Sequence, residues 1–80
     1  MQPVIFTFDT NLTPLLPRAL RGRPIVRTWA EGATLKHAIE ALGVPHTEVG
    51  RVLVDGQPMA LEAILPAAGH VAVSGVVPTL

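Results

Sequence analysis

One stretch of helical sequence constrains the fold of this chain more than any other feature. Four apolar residues recur at the i, i+3, i+4 and i+7 spacing of a single helical stripe, and these are Leu35, Ala38, Ile39 and Leu42. Thr34 precedes the stripe and is a good N-cap residue, because its hydroxyl oxygen can accept a hydrogen bond from a free amide of the first turn. Gly43 and Pro45 follow it, which is typical of a helix that closes in a Schellman motif. The pattern predicts one helix of about three turns, with Leu35, Ile39 and Leu42 buried.

Short strands are predicted on both sides of this helix. They are runs of β-branched and apolar residues between turn residues, and they cover 4–8, 25–29, 51–54, 57–60 and 70–74. Asp55-Gly56 predicts a tight hairpin, because both positions of that turn favour a positive φ, and Pro58 suits an edge strand. Strands around one helix favour an α+β fold, with a mixed sheet of four to five strands packed on that helix. We expect a single domain over residues 1–80.

The segment between the first two predicted strands, residues 11–24, is unusual in composition. It holds three prolines, one glycine and three arginines, interrupted by four leucines. Because the prolines prevent a long helix, we expect a long connection whose leucines touch the core while its arginines face water. In the strand that follows, the alternation does not decide whether Ile25 or Val26 points inward.

Composition excludes several classes of protein. Hydrophobic residues make up 49% of the chain and charged residues 15%, which excludes intrinsic disorder. Six basic and six acidic side chains balance, so the chain as a whole lacks the charge of a nucleic-acid or anionic-membrane binder. Cysteine is absent, which excludes disulfides and favours a cytoplasmic protein. No apolar run approaches the ~20 residues of a membrane span, and no secretory signal pattern is visible.

The polar residues form no recognisable catalytic or metal-binding pattern. His37, His46 and His70 lack the spacing of zinc ligands. Ser74 is four residues from His70 in a predicted strand, or roughly 13 Å at strand rise, which is too far for a nucleophile and its base. The acids form no close pair, and the glycines match no phosphate-binding spacing. We therefore expect no enzymatic activity, no cofactor and no metal.

The sequence resembles a known family along essentially its whole length. Residues 52–65 and 70–73 follow the back half of the β-grasp, or ubiquitin-like, fold. Residues 38–49 more specifically resemble the ubiquitin-like domain found beside Mut-seven-type PIN-fold ribonucleases, and Gly43-Val44-Pro45-His46 is the most diagnostic run. Arg21-Gly22-Arg23-Pro24 is similar to the basic turn that this family carries before its second strand.

The resemblance implies association with a ribonuclease rather than ribonuclease activity. PIN-type nucleases hold Mg²⁺ or Mn²⁺ with a cluster of acidic residues, and that cluster belongs to the nuclease domain. In the family this module commonly precedes the nuclease in one chain, so it would act either in cis or, as a separate small protein, in trans. We expect a non-catalytic interaction module that binds the nuclease and restrains it in the manner of an antitoxin.

Arginines concentrate at one place in the sequence. Four of the five fall within ten residues without an intervening acid, and they are Arg18, Arg21, Arg23 and Arg27. They are equally consistent with a solvated loop that keeps the protein soluble and with a carboxylate-binding surface, because guanidinium groups pair with carboxylates in a bidentate manner. On the second interpretation Arg18, Arg21 and Arg23 face the acidic metal site of the nuclease. Leu15, Leu16 and Trp29 are then the candidate apolar anchors. Direct RNA binding is disfavoured, because Trp29 is the only nearby aromatic residue.

A small sulfur carrier or ubiquitin-like modifier is the alternative function for such a fold. Those proteins activate a C-terminal Gly-Gly, whose missing side chains let the tail enter a narrow active-site channel. Here Gly75 is followed by two valines and Pro78, a sequence that disfavours this function.

Overall fold

The computed structural model describes residues 3–76, which form five strands and one α-helix. The elements are β1 (Val4–Phe8), β2 (Ile25–Arg27), α1 (Leu35–Ala41), β3 (Val49–Val54), β4 (Gln57–Pro58) and β5 (Gly69–Gly75). Three short 3₁₀ turns are added at Thr13–Leu15, Arg18–Leu20 and His46–Glu48. The predicted order of strands around one helix is confirmed. None of the helices among these residues is long and apolar enough to cross a bilayer.

The strands form one mixed sheet in the order β2-β1-β5-β3-β4. β1 and β5 are parallel neighbours at its centre, and the remaining pairs are antiparallel. A parallel pair requires a crossover, and the chain makes it through α1, which covers one face of the sheet. The predicted α+β class and the β-grasp arrangement of a mixed sheet on one helix are confirmed.

The core lies between α1 and one face of the sheet. Period-two alternation brings every second strand residue inward, and the connection and the helix supply the rest. Its buried residues are Val4, Phe6, Leu12, Leu16, Ile25, Leu35, Ala38, Ile39, Leu42, Val44, Val52, Val71 and Val73. Leu35, Ile39 and Leu42 were predicted to be buried, and this prediction is confirmed.

Both ends of α1 are capped as predicted, although the helix is shorter than predicted. The Thr34 hydroxyl accepts a hydrogen bond from the His37 amide at 3.0 Å. At the other end Gly43 has φ +111°, and the Val44 amide donates to the Ile39 carbonyl at 3.3 Å, the long bond of a Schellman motif. Seven residues make about two turns rather than the predicted three, because Thr34 and Leu42 are the caps.

The segment 59–65 closes the amino end of α1. The amides of Leu35 and Lys36 have no acceptor within the helix, and they donate to the carbonyls of Ala63 at 2.9 Å and Leu61 at 2.8 Å. This segment is a turn. The segment leaves the sheet early, so β4 has two residues instead of the predicted four. β4 is an edge strand, as expected from Pro58.

β2 is also shorter than predicted, and the structure shows which of its side chains points into the core. Among the described residues the pairing of β2 with β1 runs from Ile25 to Arg27, which lies opposite Val4, so the strand ends two residues before Trp29. Ile25 is opposite Phe6 and buried, whereas Val26 points to the other side of the sheet and is 58% exposed. The hairpin prediction holds, because Asp55 and Gly56 have φ values of +48° and +85°.

Candidate protein-interaction surface

The connection between β1 and β2 is held to the sheet by Asp9. Its Oδ1 accepts hydrogen bonds from the amides of Asn11 at 3.0 Å and Leu12 at 3.2 Å, as in an Asx turn. Its Oδ2 accepts from the amide of Gly75 at 2.9 Å, at the end of β5. One carboxylate therefore joins the end of β1, the start of the connection and the end of β5. The sequence indicated only a turn at this residue.

Arg21 stabilises the connection from within. Its Nε donates to the Leu16 carbonyl at 2.8 Å, and its Nη2 donates to the Pro14 carbonyl at 3.0 Å. The side chain is half-buried and reaches back across the first 3₁₀ turn. The expectation that all arginines of the connection face water is wrong for this residue, because carbonyls left free by the proline-broken backbone need a donor.

Arg18 and Arg23 differ from Arg21 in being exposed. Arg18 begins the second 3₁₀ turn, and Arg23 follows Gly22, whose φ is +73°. Within residues 3–76 the one charged pair closer than 4 Å is His46 with Glu40, so neither guanidinium is neutralised by a carboxylate of the described chain. Both charges are therefore available to a partner.

The three predicted apolar anchors occupy three different environments. Leu15 is 38% exposed on the connection, beside the carbonyls that Arg21 binds. Leu16 is only 4% exposed and belongs to the core, so it anchors the connection from inside. Trp29 follows the end of β2 that lies away from the connection, and its ring centroid is 5.8 Å from that of Phe6 in an edge-on arrangement.

Trp29 is thus separated from the arginines with which it was grouped. It lines a separate cavity of about 420 Å³, together with Val4, Ile64 and Pro66. Its indole nitrogen is buried without a hydrogen-bond partner in the described part of the chain. The structure brings together Arg18, Arg21, Leu15 and Leu16 in the connection, and it places Trp29 elsewhere.

Glu40 and His46 serve local structure. Glu40 Oε2 lies 2.7 Å from His46 Nδ1 and also accepts from the His46 amide at 3.1 Å. The hydrogen bond from the His46 side chain, aided by that amide, holds the pKa of Glu40 below its usual value. His46 therefore orders the loop after Pro45.

His70 lies on the sheet, and its ring has no acidic partner among residues 3–76. Its Nε2 is 2.7 Å from the Thr7 hydroxyl, and the Asp55 carboxylate accepts from its backbone amide at 2.9 Å rather than from the imidazole. No cluster of three or more metal-ligating side chains occurs among residues 3–76.

Gly75 is the last glycine of the sequence, and it is part of the sheet. It is buried, pairs with Val49 of β3 and donates its amide to Asp9. A sulfur carrier needs its glycines in a free tail, and Gly75 is not in one. The rest of the predicted tail, residues 77–80, lies outside the described residues.

The comparisons with known proteins agree with this fold. The family described as Mut7-C ubiquitin matches residues 1–78, nearly the full length. No curated protein and no solved structure matches the chain. The family match confirms the resemblance seen around Gly43-Val44-Pro45-His46, and the chain belongs to the Mut7-C ubiquitin family.

Proposed function

We propose that this chain is a non-catalytic interaction module that binds a PIN-type ribonuclease, in cis or in trans, and restrains it as an antitoxin would. The observation that carries the proposal is the pair of exposed arginines, Arg18 and Arg23, which have no carboxylate partner in the described part of the chain. The family supports the choice of partner, because the ubiquitin-like domains that this chain resembles accompany such nucleases.

The acidic metal site of the nuclease is the chemistry that these arginines fit. A site that binds Mg²⁺ or Mn²⁺ concentrates carboxylates, and their mutual repulsion is relieved by an inserted guanidinium group. An arginine there competes with the metal ion for the same oxygens, which stops metal-assisted hydrolysis. This mechanism requires no chemical activity from the ubiquitin-like chain.

Arg21 contributes to this surface indirectly. Its two hydrogen bonds to backbone carbonyls hold residues 14–16 and the arginine-bearing turn in one shape. A connection that is ordered before binding loses less conformational entropy on association. Leu15 supplies an exposed apolar contact at the same place, so the proposed contact combines charge with apolar area.

The proposal is tested with the double variant Arg18→Ala/Arg23→Ala and a purified PIN-type ribonuclease domain. We expect the dissociation constant, measured by calorimetry, to rise roughly tenfold or more, as for loss of buried charged contacts. The rate of RNA cleavage in the presence of the module should rise in parallel, at matched ionic strength. Arg21 is left intact, because its replacement would disturb the loop itself.

Lys36→Ala is the matched control for the loss of positive charge. Lys36 lies on α1 and not on the connection, so its removal should change the dissociation constant by less than about twofold. Unchanged binding and unchanged restraint of cleavage by the double variant would contradict the arginine mechanism.

A further inference from the structure

The cavity beside Trp29 lies between two loops. One wall is the loop that follows β2, at residues 29–32, and the other is the loop that precedes β5, at residues 64–67. The amide of Leu65 donates a hydrogen bond to the carbonyl of Ala33 at 2.8 Å, which ties the second loop to the first. The cavity is therefore held open by contacts of the fold and is not a gap between two independent loops.

The size and the lining of this cavity match those of sites for small molecules. Its volume is about 420 Å³, and pockets that bind small ligands have volumes of roughly 300–1,000 Å³ with mostly apolar walls and a few polar groups. Besides Trp29, its large apolar lining residues are Val4, Ile64, Leu65 and Pro66. A ligand with an apolar body removes these walls from water, which favours binding.

Trp29 brings an unmade hydrogen bond to the cavity. Its ring packs edge-on against Phe6 of the core, and the residue also lines the cavity. The indole nitrogen is buried from water and has no acceptor in the part of the chain that the structure describes. An indole nitrogen donates a hydrogen bond and does not accept one, and a buried donor without a partner is unfavourable. The missing partner is therefore a hydrogen-bond acceptor.

Glu31 restricts the charge of that acceptor. It is the one charged residue among the described residues that line the cavity, and it is exposed at the edge of the cavity. Within residues 3–76 no cationic side chain lies within 4 Å of its carboxylate, so this negative charge is not neutralised there. Because like charges placed together are unfavourable, an anionic ligand is disfavoured. An uncharged oxygen such as a carbonyl fits better than a carboxylate or a phosphate.

We propose that the cavity beside Trp29 binds a small uncharged molecule with an apolar body and a carbonyl group, and that this carbonyl accepts a hydrogen bond from the indole nitrogen. The apolar walls contact the body of the molecule, and Glu31 selects against anionic analogues. The site does not include the arginine connection, so this binding goes beyond the proposed function and does not depend on it.

Two probes of nearly equal shape test the proposal on the parent chain. Cyclohexanone carries a carbonyl oxygen where methylenecyclohexane carries a methylene group. Trp29 is the only tryptophan, so its indole N–H gives a single cross-peak in a ¹H–¹⁵N NMR spectrum. At equal concentrations we expect the ketone to move this peak downfield, by roughly five times or more the change caused by the alkene, because only the ketone accepts the bond. Cyclohexanecarboxylate should bind more weakly than the ketone.

Ala67→Phe and its matched control Ala68→Phe test where the ketone binds. The two alanines are adjacent and exposed, but only Ala67 lines the cavity. We expect Ala67→Phe to fill the cavity and weaken ketone binding roughly tenfold or more, and Ala68→Phe to change it by less than about twofold. The amide spectrum checks the folding of each variant, and the probe pair needs no variant at all. Equal responses to the ketone and the alkene, or equal ketone binding by the two variants, would overturn the proposal.

Other occupants of the cavity are outcomes of the same measurement. Gln2 lies outside the described residues and carries a side-chain carbonyl. If Gln2→Ala moves the indole peak without any probe as far as the ketone moves it in the parent, the acceptor comes from the chain itself and the proposal is overturned. If a purified PIN-type ribonuclease domain moves the peak and the ketone does not, the cavity is a protein contact, which also overturns the proposal.

Discussion

Glu40 links α1 to the loop that follows it, and its titration is coupled to folding. The His46 side chain and amide both bind its carboxylate and lower its pKa in the folded chain. A carboxyl with a lowered folded pKa stabilises the protein above its unfolded pKa, and this contribution is lost as the pH falls through the folded value. We therefore expect the urea midpoint of the parent chain to fall more between pH 7 and pH 3 than that of Glu40→Gln.

Glu62→Gln is the control for this measurement, because it removes one exposed carboxylate outside the loop contact. Its acid-induced decrease should match that of the parent chain. An equal decrease in the parent and in Glu40→Gln would show that the contact with His46 does not contribute to stability. The sequence pattern did not indicate the contact between Glu40 and His46, which lie six residues apart.

At the scale of elements, α1 is the unit on which the core depends. Leu42 caps its carboxyl end and is 1% exposed in the core cluster. Leu42→Ala should lower the free energy of unfolding by about 2–5 kcal/mol, the range for deleting a buried leucine. Since a chain of this size has a free energy of unfolding of roughly 4–12 kcal/mol, the variant loses a large part of its stability.

The same substitution at an exposed leucine provides the comparison. Leu15 is 38% exposed on the connection, so Leu15→Ala should cost less than about 1 kcal/mol in the same urea titration. Similar costs for Leu42→Ala and Leu15→Ala would contradict the packing of α1 described above.

At the scale of the whole molecule, Asp9 joins segments that lie far apart in the sequence. Its carboxylate binds the amides of Asn11, Leu12 and Gly75, the last of them 66 residues away. Asp9→Ala leaves these donors without their charged acceptor and should lower the free energy of unfolding by about 1–3 kcal/mol. Asp9→Asn keeps one carbonyl acceptor and should cost less. A cost for Asp9→Ala within error of zero in urea titrations would show that the three segments are held by packing alone.

Local chemistry allowed much of the fold to be predicted from the sequence. The caps of α1, the alternation of β1 and the positive φ values at Asp55 and Gly56 depend on contacts within a few residues, so the pattern of neighbours determines them. The family could be identified from the same local runs. The boundaries of β2 and β4 were less certain, because they depend on pairing with distant strands: β2 ends opposite Val4, and the chain leaves the sheet after Pro58 while β3 is still present.

The candidate surface depended on contacts that no local pattern contains. Leu15 and Leu16 are neighbours with the same side chain, yet only the packed core decides which is buried. Arg21 could not be distinguished from Arg18 and Arg23 until the fold of the connection brought two carbonyls to its guanidinium group.

The sheet order was decided in the same way. The sequence by itself determined which segments become helix and strand, since those choices are made by neighbouring residues. The tertiary structure alone decided that β1 lies parallel to β5, that Val26 rather than Ile25 faces water, and that Trp29 sits away from the arginines. The physical reason is that burial and hydrogen bonding between distant segments are satisfied only when the whole chain packs.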